Sequence, residues 1–154
     1  MNIAIIPARG GSQRIPGKNK RPFHGKPIIC YSIDTARSTR LFDRILVSTD
    51  DPEIAQIAMD RGAHAVYRTE GMCKDEVGTQ DVISVCAKLI PSDYICGLYP
   101  TAPLLLPEDI LRGFRVLSEA QGKPGHTLHY EMAVNDDPLF DAGMFYWGTT
   151  KAFL

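Results

Sequence analysis

The four cysteines include no C-x-x-C pair, so the ligand spacing of a structural zinc site is missing. Cys30, Cys86 and Cys96 stand in apolar segments, as buried thiols of a reducing compartment do. His126 and His129 are three apart in an expected strand, which sends them to opposite faces and leaves no ligand pair there either. Net charge is nearly absent, at -1, which argues against a broad basic face for nucleic acid. No apolar run approaches a membrane span, and no leader pattern precedes the first strand, because Asn2 runs straight into Ile3. A cytoplasmic location is the expectation. Repeats and low-complexity segments are missing, and 154 residues with 44% apolar content suit a single domain with its own core.

One absence is local. From Arg9 to Arg21 there are five basic residues and no acid. This stretch follows the apolar run Ile3–Ile6 and contains Gly10, Gly11 and Gly17. Glycines let backbone N–H groups approach a ligand, and Arg9, Arg14 and Lys18 add charge beside them. The combination points to a polyanion, most simply a nucleoside triphosphate. It is not a P-loop, since Gly17-Lys18 is followed by Asn19, nor the G-x-G-x-x-G dinucleotide fingerprint.

Beyond the loop, strand-like and helix-like segments alternate. Strands are expected at Ile3–Pro7, Arg44–Thr49, Ala63–Arg68 and Tyr94–Tyr99, with a last one holding Met144–Trp147. Helices are expected from Pro27 to about Ser38, from an Asp50-Asp51-Pro52 start to a stop at Gly62, over Thr79–Ile90, and from Pro107 to about Ala120. Residues 122–125, GKPG, read as a turn. Repeated β-α-β units predict an α/β fold with a mostly parallel sheet and helices on both faces. Ligands on such sheets lie beyond the carboxyl ends of the strands, where the basic loop, Asp50, Arg68 and Tyr99–Pro103 all fall.

The phrases PARGGSQRIPGKN, GKPIICYSI and RILVSTDDPEIA resemble the sugar-nucleotide cytidylyltransferases, the CMP-sugar synthetase or acylneuraminate cytidylyltransferase family. The segments YPTAP at Tyr99–Pro103 and DAGxFYWG from Asp141 to Gly148 look most like its pseudaminic acid branch. The resemblance covers positions 1–121 and 140–154. It implies a Rossmann-like nucleotidyltransferase fold, CTP and an acidic nine-carbon sugar as substrates, Mg2+ as cofactor, and a homodimer. Sialic acid, legionaminic acid and Kdo activation are the alternatives within that chemistry, and a non-catalytic nucleotide-binding paralogue is the alternative outside it. Two departures stand out: the stretch near 122–138 is short relative to the family, and no acidic metal-binding segment precedes the end at Leu154. No metal ligands are assigned.

Carried onto this chain, the resemblance makes Lys18 and Arg9 the catalytic cations, Lys18 at the α-phosphate. Ala8, Arg9, Gly10, Gly11, Ser12, Arg14, Lys18 and Asn19 are expected to hold phosphates and ribose, with Arg68 and Thr79 toward the cytidine and Asp75 at the nucleotide site orienting that loop. Tyr99, Thr101 and Asp141 are expected to face the sugar. Each has a plainer reading beside it: Arg68 pairing with Glu70, Asp75 starting a helix, Tyr99 packing in the core, Asp141 serving a turn. Leu104–Leu106 reads as a subunit contact.

Overall fold

A computed structural model describes residues 1–74, 76–120, 130–131 and 143–154. The central strand, β1 (Asn2–Pro7), is the apolar run that opens the chain. Ile3, Ala4, Ile5 and Ile6 are fully buried, as a strand covered on both faces requires. Its side chains divide by parity. Ile3 and Ile5 join one core, and Ala4 and Ile6 join the other.

After the basic loop comes a hairpin, β2 (Pro22–Phe23) and β3 (Lys26–Pro27), closed by His24 and Gly25, both at positive φ. That is the geometry of a two-residue hairpin loop. Two-residue strands have no periodicity to read, so the sequence predicts none here. The hairpin keeps Pro27 extended (φ -52°, ψ 137°), so it caps α1 (Ile28–Ser38) instead of forming its first helical residue.

β4 (Arg44–Thr49) has the expected bounds. α2 (Pro52–Asp60) starts as the sequence implies: Asp51 accepts from the N–H groups of Glu53 and Ile54, Pro52 needs no donor, and the helix stops before Gly62. Next come β5 (His64–Tyr67), α3 (Thr79–Leu89), β6 (Tyr94–Leu98) and α4 (Pro107–Ala120). The described chain ends with β7 (Tyr130–Glu131), β8 (Phe145–Thr149) and the short α5 (Thr150–Phe153). The turn expected at 122–125 and the strand expected around His126 and His129 lie outside the described residues.

The sheet order is β5-β4-β1-β6-β8-β7. β5, β4, β1 and β6 run parallel, and β8 and β7 close the edge in antiparallel pairs. Helices α1, α2 and α4 cover one face, with Ile29, Ile33, Ile54 and Ile110 in that core. α3 and α5 cover the other through Val82, Ile83, Cys86 and Phe153. The expected α/β fold with a mostly parallel, doubly covered sheet is the observed one. Trp147 anchors the β8 side: it is fully buried, donates from Nε1 to the Ile110 carbonyl at 3.1 Å, and stacks on Phe42. Among the described residues no helix is long and apolar enough to cross a membrane.

The chain lays β4 and β5 on one side of β1 and then returns to lay β6 on the other. The strand order therefore reverses between β1 and β6. A reversal of this kind leaves a crevice above the carboxyl ends of the two strands.

Candidate active site

At the end of β1 the Ala8 N–H donates to the Ser48 carbonyl at 2.8 Å, which extends the pairing with β4 by one residue. The chain then lifts off the sheet into the basic loop. Gly10 lies so close to α2 that a Cβ there would sit 2.8 Å from both Cβ and Oδ2 of Asp51. Its N–H donates to Asp50 Oδ1 at 2.7 Å, and the Ser12 N–H donates to the Gly10 carbonyl at 2.9 Å. Gly17, at φ 60°, turns the chain into a 3-10 turn over Lys18–Lys20. Asn19 is buried within that turn and donates from Nδ2 to the Arg9 carbonyl at 2.9 Å, tying the two ends of the loop together. Its Oδ1 is buried with no partner among the described residues. Such a group is costly to leave unmet.

The loop forms one wall of a cavity of about 540 Å³ at the sheet's reversal point, with Arg9, Ser12, Arg14, Lys18 and Asn19 in the lining. The second wall carries Arg68 with Val77, Gly78, Thr79 and Val82, where α3 begins. The third carries Tyr99, Pro100 and Thr101, just past β6. Four cations and no described acid line the cavity. The positive end of the α3 dipole adds to that field. A polyanion is the matching ligand.

Arg68 is half-buried and held firmly. Its Nε donates to the Ser48 carbonyl and hydroxyl, both at 3.2 Å, and Nη2 donates to the same carbonyl at 3.0 Å. The surface pair with Glu70 is therefore not how this side chain is used. Burial lowers its pKa, and the nearby Arg9 adds to that, while the Asp50 carboxylate and the thiols of Cys73 and Cys86 oppose the shift. The remaining guanidinium edge is left for a ligand.

Tyr99 is not plain core either. It lines the cavity half-buried, with its hydroxyl 3.3 Å from that of Tyr146 and its ring tilted against the same residue. Its backbone is fixed at both ends. The N–H donates to the Met144 carbonyl at 2.9 Å, and the carbonyl accepts from the fully buried Ser32 hydroxyl at 2.8 Å.

The cavity thus gathers Arg9, Ser12, Arg14, Lys18, Asn19, Arg68, Thr79, Tyr99 and Thr101 from the sequence-predicted set. Ala8, Gly10 and Gly11 do not line it, and Asp75 and Asp141 lie outside the described residues. The N–H groups of Gly10 and Ser12, expected to face phosphate, are bonded within the protein here, because the loop packs onto the Asp50-Asp51 corner. Gln13, Val77, Gly78 and Val82 line the cavity without having been singled out. Gln13 sits inside the phrase that marks the loop and was within reach of a sequence reading. Val82 falls inside the expected helix Thr79–Ile90, and Val77 just ahead of it carries no signal of its own. Among the described residues no three of His, Cys, Asp and Glu come together, so they form no protein cage for a metal.

The family model described as Cytidylyltransferase matches residues 3–143. The pseudaminic acid cytidylyltransferase of Campylobacter jejuni is 34% identical over 186 positions, covering 99% of this chain and 80% of that protein. The matched stretch is longer than this chain, so the relative carries residues within it that have no counterpart here. The CMP-N,N'-diacetyllegionaminic acid synthase of Legionella pneumophila is 38% identical over 187 positions, covering 99% of this chain and 79% of its own length. A solved CMP:2-keto-3-deoxy-manno-octonic acid synthetase complexed with CTP superposes with a TM-score of 0.77 over 99% of this chain and 75% of the other, at 19% identity, a likeness of fold.

Proposed function

The chain belongs to the cytidylyltransferase family, and from that premise we propose that it activates an acidic nine-carbon sugar with CTP. The products are the CMP-sugar and pyrophosphate. Relatives named for pseudaminic and legionaminic acids make a nonulosonic acid the favoured acceptor. The observation that carries the reading is the cavity itself: four cations and no described acid, set at the reversal point of the sheet.

In this reaction the anomeric hydroxyl of the sugar attacks the α-phosphorus of CTP. A P–O bond forms as the hydroxyl releases its proton to solvent, the bond to the bridging β-phosphate oxygen breaks so that pyrophosphate leaves, and charge builds on the α-phosphate and the leaving pyrophosphate. The protein's part is positioning and electrostatic stabilisation. Arg9 and Arg14 hold the β- and γ-phosphates, Arg by its forked donors. Lys18, next to them in the cavity lining, stabilises the α-phosphate as charge grows there. A donor used in this way is worth about 2.7–4 kcal/mol of barrier. Asn19, tied to the Arg9 carbonyl, serves the ribose or phosphate end. Arg68 and Thr79 take the base, with the free guanidinium edge donating to the acceptor edge of cytosine. Tyr99 and Thr101 line the sugar side.

Magnesium belongs to the proposal as a cofactor that shields the triphosphate. Mg2+ keeps several waters and uses one or two carboxylates plus substrate phosphates, so the lack of a three-ligand cluster among the described residues leaves its protein ligands unassigned. A homodimer and a cytoplasmic location complete the reading.

The test is to incubate the protein with CTP, magnesium and separate pseudaminic, legionaminic, sialic and Kdo acceptors, and to identify the product by mass. A CMP adduct of a nonulosonic acid is expected. CTP binding with no adduct from any acceptor would favour the non-catalytic paralogue.

A further inference from the structure

Lys20 belongs to the same basic loop as Arg9, Arg14 and Lys18 but takes no part in lining the cavity. Its ammonium donates to Asp51 Oδ2 at 2.9 Å and to Glu53 Oε2 at 2.6 Å. Lys20 and Asp51 are 30% and 15% exposed, so their bond is partly shielded from water, whereas Glu53 is 65% exposed and its bond is the weaker arm. Asp51 is fixed in turn. Oδ1 accepts from the N–H groups of Glu53 and Ile54 as the cap of α2, and Gly10 packs against its Cβ. Partial burial pushes its carboxyl up, but Lys20 and those two N–H groups outweigh this and hold it below the ordinary carboxylate value.

A loop carrying five cations and no acid repels itself. It needs a counter-charge, and one placed within the cavity would compete with the ligand. The first turn of α2 supplies that charge outside the cavity lining.

We propose that Lys20 and Asp51 are positioning residues for nucleotidyl transfer, a clasp that holds the basic loop on α2 so that Arg9 and Lys18 face the cavity before nucleotide arrives. Lys20 itself touches no phosphate. The consequence for catalysis rests on the function proposed above; the clasp does not. Ordering the loop in advance removes an entropy cost from binding, so loosening it shows as lost affinity.

The test uses Lys20→Met, Asp51→Asn, the double variant, and Lys20→Arg. Asp51→Asn keeps Oδ1 as the helix cap and puts a donor where Lys20 needs an acceptor. In nucleotide-free protein, amides of segment 8–21 should exchange roughly tenfold faster in either single variant, while those of β1 and β6 keep wild-type protection. CTP affinity and kcat/KM should fall about fivefold to tenfold, the double variant should be no worse than the weaker single, and Lys20→Arg should recover most of the loss. Wild-type exchange in Lys20→Met overturns the clasp. Weakened CTP binding alongside that unchanged exchange would make Lys20 a phosphate ligand instead. Additive losses in the double variant overturn the pairing with Asp51. Wild-type protein that takes no CTP would defeat the functional reading, and the exchange measurement would still decide the clasp.

Discussion

Replacing Gly10 with alanine adds one methyl group, and the structure gives a reason for it to be expensive. The new Cβ would lie 2.8 Å from two atoms of Asp51, Cβ and Oδ2. Asp51 Cβ is not the far end of a flexible chain, and its carboxylate is tethered by Lys20 and by two helix N–H groups. Asp51 therefore cannot step aside cheaply, and the loop must lift. Overpacking of this kind costs about 1–3 kcal/mol. Lifting also stretches the Gly10 N–H bond to Asp50, a hydrogen bond to a charged acceptor worth about 1.5–3 kcal/mol. The two effects share one movement, so we expect about 2–3 kcal/mol in total. For a domain of this size each kcal/mol lowers Tm by roughly 2–4 °C. Urea denaturation gives the stability, and titration with CTP gives the affinity, which should fall as well because Arg9 moves with its neighbour. A Gly10→Ala protein with wild-type Tm and wild-type CTP affinity would refute the packing argument.

Lys18→Ala should lower kcat by about 100- to 1000-fold with the unfolding midpoint unchanged, since Lys18 is assigned to charge that appears only in the transition state; steady-state kinetics would remove it from the mechanism if rates stay near normal. CTP should raise Tm more than ATP or GTP at equal concentration, by up to about 2.7 kcal/mol of linkage at a hundred times Kd, and Arg68→Met should erase the difference; equal shifts in the unaltered protein would defeat cytosine selectivity. Asp51 has a depressed pKa, so its contribution is present above the unfolded carboxylate value of about 3.9 and is lost as pH falls through the lower folded value. The stability gap between wild type and Asp51→Asn should therefore be level near neutrality and narrow as pH falls below the unfolded carboxylate value, and a gap that does not narrow in acid in urea titrations would contradict the ion pair.

The parts of this fold that sequence revealed are those with local causes. Pro52 after Asp51 marks the start of α2 because capping is a matter of a few neighbouring atoms. The buried run of β1 and the six residues of β4 are visible because strands covered on both faces are apolar throughout. Membership of the family was readable too, from long phrases such as PARGGSQRIPGKN. What sequence left open depends on distant partners. Arg68 had Glu70 two residues away as an obvious mate, and only folding brings Ser48 under its guanidinium. Lys20 counted simply as one more cation, since nothing local says that it turns toward α2 while Lys18 turns into the cavity. Gly10 was read for its N–H, and its close approach to Asp51 is a fact of packing.

Residues Ser48 to Asp51 bear a disproportionate share of the nucleotide end. Ser48 receives the Ala8 N–H and the Arg68 guanidinium, Thr49 the Arg68 N–H, Asp50 the Gly10 N–H, and Asp51 the Lys20 ammonium. Four consecutive positions on one strand end thereby act as a gauge block, setting the span between the basic loop and the Arg68 guanidinium on the opposite wall of the cavity. Tyr99 and Thr101 follow another strand, across β1. On the assignment proposed above, sequence drift there would alter the acceptor side while the spacing between the loop and Arg68 stays untouched, and the relatives are named for different sugars.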